Sequence, residues 1–386
     1  MANVVAVLGT ACHCLTTAST MPSPTAFLLL GNLLALRVYA APPPSVGTIT
    51  FLRDAARSEG AVCLDGSPSA YYTAPGTEEG KVYIHAEGGG WCAPGLNCLQ
   101  RASSPLGSST SYPPTMTFQG GYLSNDPTQN PLMHSWTKVY LKYCDGSSQT
   151  SNLEAPSPVG NSTIFYRGHR ILLAMQAQLK ATVLAAATDV VISGCSAGGL
   201  STFLHADEWR AALPPSTRVT ALPDSGYFLN HNETTNGGYG GLMRLIVREM
   251  NSTLPAACIA ANSGDPAACI FAETVAATLA TPTFALQGKY DAWQVGPGDA
   301  GLSVNDTAGV NAWGALLSSR MRATLLMQPQ HGAFLDSCFH HCGGFDAFLV
   351  DGFTQATAHA AWYGGGARRL FNQSEAYPCA ACCTGS

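Results

Sequence analysis

Charge is what this chain has least of: only 11% of its 386 residues are Asp, Glu, Lys or Arg. The 19 basic residues are dispersed, and the formal net charge is -5. A protein that grips a phosphate backbone concentrates its Lys and Arg in a patch or stripe, so nucleic-acid binding is excluded. After residue 40 no apolar run is long enough to cross a bilayer as a helix, which leaves no stable membrane span in the mature chain. There is no internal repeat and no sign of an independent second domain. Apolar residues make up 46%, enough at this length for one large core.

Cysteine, in contrast, is plentiful at 14. Five Asn-x-Ser/Thr sequons, at Asn161, Asn232, Asn251, Asn305 and Asn372, point with it to an oxidising secretory route. The run Phe27-Leu28-Leu29-Leu30-Gly31-Asn32-Leu33-Leu34-Ala35-Leu36 reads as a signal h-region and Val38-Tyr39-Ala40 as its cleavage site. No Lys or Arg precedes Arg37, and Met21 is an alternative start. Residues 1–40 are therefore read as a signal peptide, with an uncleaved signal anchor as the alternative, and residues 41–386 as the secreted domain. Removing the segment takes Cys12 and Cys14 with it and leaves twelve cysteines. Spacing suggests local bridges Cys92–Cys98, Cys258–Cys269 and Cys338–Cys342. Zinc is the competing reading at Cys338-Phe339-His340-His341-Cys342 and Cys379-Ala380-Ala381-Cys382-Cys383, but the secretory context favours disulfides over metal.

Strand-like and helix-like patterns alternate along the chain. Strands are expected at Lys81–Ala86, Thr137–Cys144, Asp189–Ser193, Arg218–Leu222, Thr283–Gln287 and, as the last core strand, Ala323–Met327. Helices are expected over Arg167–Leu179, Leu200–Leu213, Gly241–Met250 and Trp313–Arg322. This order implies an α/β-hydrolase-like, doubly wound, mostly parallel sheet in one domain, with its site at the carboxyl ends of the strands.

The strand before Ser196 ends in Gly194-Cys195-Ser196-Ala197-Gly198-Gly199, a serine flanked by glycines. That is the pattern of a nucleophile elbow, a tight strand-to-helix turn that pushes the hydroxyl out above the sheet. A serine hydroxyl is a poor nucleophile at neutral pH, so it needs a histidine base and an acid to orient that base. Asp291 follows a later strand and is preferred to Asp224, which reads as a turn residue before Gly226. His331, His340 and His341 all follow the last strand, and spacing does not choose among them. Glu87-Gly88-Gly89-Gly90-Trp91 ends an early strand and suggests an oxyanion loop, with the amides of Gly90, Trp91 and Ala197 as donors.

Six segments together make a more specific pattern: Glu87-Gly88-Gly89-Gly90-Trp91-Cys92, Tyr143-Cys144-Asp145-Gly146, Gly194–Gly199, Asp224-Ser225-Gly226-Tyr227-Phe228, Tyr290-Asp291-Ala292-Trp293-Gln294 and Ser337-Cys338-Phe339-His340-His341-Cys342. In this order, from about residue 48 to Tyr377-Pro378-Cys379, the chain resembles the plant pectin acetylesterases, a family that also includes the animal lipid-removing esterase Notum. The resemblance implies Ser196 as nucleophile, Asp291 as acid and His341, directly before Cys342, as base. It implies a secreted serine carboxylesterase, extracellular or in the cell wall, that removes acetyl groups from a cell-wall polysaccharide without metal or organic cofactor. The alternatives are a Notum-like fatty-acyl deacylase and a catalytically inactive wall-binding protein on the same scaffold. Glu87, Tyr227, Phe228 and Trp293 are candidate pocket residues. The tail departs from the family in carrying Ala376 and an added Cys382, which suggests a rewired terminal bridge, and Cys195 is a candidate free thiol.

Overall fold

The runs rich in β-branched and aromatic residues pair side by side. The computed structural model describes residues 42–231, 238–296 and 298–383. The expected signal segment 1–40, with Cys12 and Cys14, and the sequon at Asn232 lie outside the described residues. Twelve strands are present among them: β1 (Ser45–Phe51), β2 (Ala70–Ala74), β3 (Lys81–Ala86), β4 (Thr115–Phe118), β5 (Thr137–Leu141), β6 (Ser157–Val159), β7 (Ser162–Ile164), β8 (Asp189–Cys195), β9 (Arg218–Asp224), β10 (Phe284–Gly288), β11 (Gly332–Asp336) and β12 (Leu370–Asn372). Ten form one sheet in the order β4-β1-β2-β5-β3-β8-β9-β10-β11-β12, and β6 and β7 make a separate hairpin. From β5 to β12 every neighbouring pair is parallel, while β2, β1 and β4 extend the sheet antiparallel.

The central strands are covered on both faces, so they are apolar without strict alternation. Val82 and Ile84 of β3 and Val190 and Ile192 of β8 join one core with Ile171, Leu172, Met175 and Leu179 of the helix Gly168–Lys180. Tyr83 and Val191, pointing the other way, join Leu222, Phe284, Leu286 and Phe334 in a second core. Burying each such side chain contributes about 1.5–3 kcal/mol. The helix Ala197–Ala212, buried through most of its first ten residues, packs behind β8 and β9.

The expected last strand at Ala323–Met327 is wrong. The helix Thr307–Ala323, capped by Asp306, runs through its first residue, and Leu325–Met327 is a short 3-10 turn. The strand is β11, whose Gly332-Ala333-Phe334-Leu335-Asp336 is fully buried. A three-residue apolar run has no readable period, and at this point tertiary pairing with β10 decides. No helix among the described residues is long and apolar enough to cross a membrane.

Candidate active site

Ser196 sits between β8 and the helix Ala197–Ala212 with φ +59° and ψ -122°, a conformation that L residues seldom adopt. The strained turn exists because backbone packs on backbone. A Cβ on Gly198 would collide with the carbonyls of Ala86 and Glu87 at the end of β3. The amide of Ser196 donates to Asp224 O at 3.0 Å, tying the elbow to the end of β9. Its side chain projects at the N-terminus of a 16-residue helix, whose dipole favours developing negative charge.

Asp291 and His341 arrive from the carboxyl ends of β10 and β11. His341 Nε2 lies 2.8 Å from Ser196 Oγ, and its Nδ1 lies 3.0 and 2.9 Å from the two Asp291 carboxylate oxygens. With Asp291 accepting at Nδ1, the imidazole lone pair is left on Nε2, facing the serine. Asp291 is itself fixed: it caps a short helix by accepting from the amides of Trp293 (3.1 Å) and Gln294 (3.0 Å), and from Gln287 Nε2 (3.3 Å). The acid and histidine loops are joined by the amide of Ala292 donating to His340 O.

Asp224, the rival acid, is more than a turn residue. It is buried, accepts from Gly343 N (2.9 Å) and Ser225 Oγ (3.0 Å), and burial pushes its carboxyl up to about 6. Ser225 Oγ accepts from Cys342 N at 2.8 Å, so these two residues hold the backbone just beyond His341. His331 is buried between Thr283 and Leu279, away from this group. His340 pairs with Asp336 at 3.0 Å.

The glycine loop lies against the elbow, since a Cβ on Gly88 would stand 2.6 Å from Cys195 O and 3.1 Å from Ser196 Cβ. Among the described residues the amides of Gly90, Trp91 and Ala197 donate to no protein acceptor. Their carbonyl neighbours are taken: Arg101 Nη1 donates to Gly89 O at 2.9 Å, and Tyr143 Oη donates to Gly90 O at 2.8 Å. In a trans peptide the N–H points opposite to the preceding C=O. Gripping those two carbonyls therefore turns the N–H groups of Gly90 and Trp91 the other way. Arg101 also stacks over the Tyr143 ring at 5.2 Å.

Trp91, Phe228, Tyr239 and Trp293 pack together, with ring centroids 5.0–5.7 Å apart, and Phe228 and Trp293 lie 6.1 and 6.4 Å from the His341 ring. Two expected pocket residues are not brought to this wall. Tyr227 turns into the core, packing on Phe203 and sharing a 2.6 Å hydrogen bond with Thr324 Oγ1. The Glu87 carboxylate is consumed by Lys142 Nζ and by Tyr143 N at 2.9 Å. Tyr239, Arg101 and Ser148 carried no sequence signal. Ser148 accepts from Trp91 Nε1 at 2.8 Å and donates to Ala197 O at 2.7 Å, linking the two sides of the amide cluster.

All twelve described cysteines are paired. Cys92–Cys98 and Cys258–Cys269 form as spacing suggested. The expected Cys338–Cys342 bridge does not: Cys338 joins Cys383, Cys379 joins Cys382, and Cys342 joins Cys195. Cys195 is thus no free thiol. Its bridge connects the residue before Ser196 to the residue after His341. Among the described residues no group of three His, Cys, Asp or Glu is arranged to hold a metal.

A family model described as pectinacetylesterase matches residues 41–384. Pectin acetylesterase 11 of Arabidopsis thaliana is 35% identical over 329 residues, covering 79% of this chain and 82% of its own length. The palmitoleoyl-protein carboxylesterase NOTUM of Mus musculus is 30% identical over 248 residues, 60% of this chain and 48% of its own length. The solved structure of the Wnt deacylase Notum from Drosophila superposes with a TM-score of 0.77 at 23% identity, covering 88% of this chain and 99% of that one, which shows the shared fold.

Proposed function

The chain belongs to the pectinacetylesterase family of carboxylic ester hydrolases, and from that premise we propose that it removes acetyl groups from an acetylated cell-wall polysaccharide, pectin first, by serine catalysis. The observation that carries the reading is the hydrogen-bonded line Asp291–His341–Ser196 beside three unengaged amides. His341 Nε2 takes the Ser196 proton as Oγ attacks the acetyl carbonyl carbon, and the amides of Gly90, Trp91 and Ala197 receive the oxyanion. Collapse breaks the bond to the sugar oxygen, which leaves with the proton held by His341. Water, deprotonated by the same imidazole, then cleaves the acetyl-serine to acetate. Asp291 orients the imidazole and offsets its charge.

The aromatic wall supports acetyl over a fatty-acyl group such as the one named for NOTUM. Rings at edge-to-face distances of 5.0–5.5 Å are in van der Waals contact, so no acyl chain passes between these three rings. Hydrolysis of a series of acyl esters tests this: a steep preference for acetyl is expected, and preference for eight or more carbons sinks the reading. Acetate release from a panel of purified glycans tests the polymer. A catalytically inactive protein would fail to label with a serine-directed phosphonate.

Secretion belongs to the same proposal, with residues 1–40 removed and 41–386 acting in the extracellular space or wall. Asn161, Asn251 and Asn305 are exposed and suited to carry glycans. Asn372 lies half-buried in β12, its side-chain oxygen enclosed, and is the weakest acceptor of the four described. N-terminal sequencing and a glycosidase mobility shift on the secreted protein check both points.

A further inference from the structure

Among the described residues, six arginines, Arg57, Arg170, Arg244, Arg248, Arg320 and Arg368, have a carboxylate within 4.0 Å. Seven others, Arg53, Arg101, Arg167, Arg210, Arg218, Arg322 and Arg369, have none, and three of these, Arg210, Arg218 and Arg369, line one cavity of about 570 Å³. No Asp or Glu lines it. The cavity is at the amino ends of the parallel strands: Arg218 opens β9, Pro282 precedes β10 and Gln330 precedes β11. Ser196, Asp291 and His341 follow the carboxyl ends, about 20 Å away at ~3.3 Å per strand residue.

Two of the guanidinium groups are held in place by backbone. Arg218 donates to Tyr363 O and lies 3.7 Å over the Tyr363 ring. Arg369 Nη1 donates to the carbonyls of Leu326, Gln328 and His331 at 2.9–3.2 Å, which leaves its other nitrogens unengaged among the described residues. Arg210, in the last turn of the helix Ala197–Ala212, is exposed and its side chain makes no hydrogen bond among the described residues. The nearby Asp189 carboxylate, which accepts from Tyr363 Oη at 2.6 Å and attracts Arg218, lies outside the lining. Half-buried Trp362, backed by Phe284 at 5.4 Å, adds an indole to the wall. Three like charges gathered on a chain of net charge -5, two of them held in place and with no carboxylate in the lining, make a site for an anion. A planar guanidinium matches a carboxylate in two parallel hydrogen bonds, and an indole face suits a sugar ring.

We propose that this cavity is a second glycan site that binds the carboxylates of a polyuronate chain, with Arg210, Arg218 and Arg369 as anion ligands and Trp362 as the ring platform. It rests on the pectin reading above, because pectin is a polyuronate. It holds the polymer at a site separate from the one where acetyl esters are cleaved.

The probe is a de-esterified oligogalacturonate, which carries no acetyl group to engage Ser196, titrated calorimetrically into the Ser196→Ala protein. Binding that weakens with salt is expected. Arg210→Gln should weaken it roughly tenfold, the value of one charged hydrogen-bonded contact, and Arg210→Glu further. Hydrogen exchange on the same complex should slow at 214–220, 329–330 and 362–369. Absence of binding, undiminished binding in both Arg210 variants at an unchanged thermal midpoint, protection confined to the Ser196 end, or equal competition by inorganic phosphate would each overturn the assignment. Acetate release from acetylated pectin without oligogalacturonate binding removes only this site, whereas no acetate release removes the reading beneath it.

Discussion

The glycine loop Glu87–Trp91 and the histidine loop Ser337–Gly343 both converge on Ser196, yet they are anchored by different physics. The glycine loop is held from nearby: a bridge of sequence separation 6, Cys92–Cys98, leads into the short helix whose last residue, Arg101, grips its carbonyls. The histidine loop is held from far away, by Cys195–Cys342 with a separation of 147, by Cys338–Cys383 with 45, and by Asp224 and Ser225. Chain entropy assigns about 2 kcal/mol to the six-residue closure and about 5 kcal/mol to the longest, less where other bridges already shorten that loop. The glycine loop thus has a local anchor in Arg101 beside the more distant Tyr143 and Ser148. The base is where it is only because the whole sheet has assembled.

The largest expected effect removes the histidine loop's chemistry outright: His341→Ala should lower kcat on a small acetyl ester by ~10⁴–10⁶-fold with the fold intact. Next comes the tether. The Cys195→Ala/Cys342→Ala double variant should lose up to about 5 kcal/mol in urea unfolding, against about 2 kcal/mol for Cys92→Ala/Cys98→Ala; equal losses would erase the contrast between the loops. On the glycine side, Arg101→Ala should reduce kcat by ~10–100-fold with KM little changed, because the misaligned amides matter most when the oxyanion forms. A rise in KM alone would mean that Arg101 serves substrate binding instead.

The smallest effect is a pH slope. Burial pulls His340 down, but the charge and hydrogen bond of Asp336, helped by Asp224 and the Cys342 carbonyl, outweigh it and hold the imidazole at about 9. A folded value above the unfolded one, about 6.5, stabilises the protein fully below pH 6.5, and this stabilisation disappears as the pH rises through about 9. Urea midpoints across that window should fall, and His340→Gln should flatten the decline. A slope that survives the substitution would place the titrating group elsewhere.

Much of this was legible beforehand, for reasons that particular segments make plain. Lys81–Ala86 and Asp189–Cys195 carry strand-forming residues over enough length to be read alone, and Ser196 is marked by the glycines that its turn requires. Asp291 follows from its place after a later strand, and His341 from the resemblance, since spacing leaves three histidines open; the structure brings both to Ser196. The missed last strand had too little period to read. Nearness in sequence does not pair Cys338 with Cys342, because Cys342 meets Cys195 once β8 and the histidine loop are in place, and Cys338 meets Cys383 of the tail. Tyr227 turns into the core and Tyr239 joins the aromatic wall for the same reason: which side chain looks toward the site is set by what packs behind it.

By itself, then, the sequence determined the alternation of the central strands and helices, the elbow and the glycine turn, because these depend on local backbone sterics and short-range periodicity. Only the tertiary structure decided that Cys195 joins Cys342, that Cys338 joins Cys383, and that three distant arginines share one cavity. Those are contacts between residues far apart in the chain, and they exist only after the sheet has assembled and excluded water.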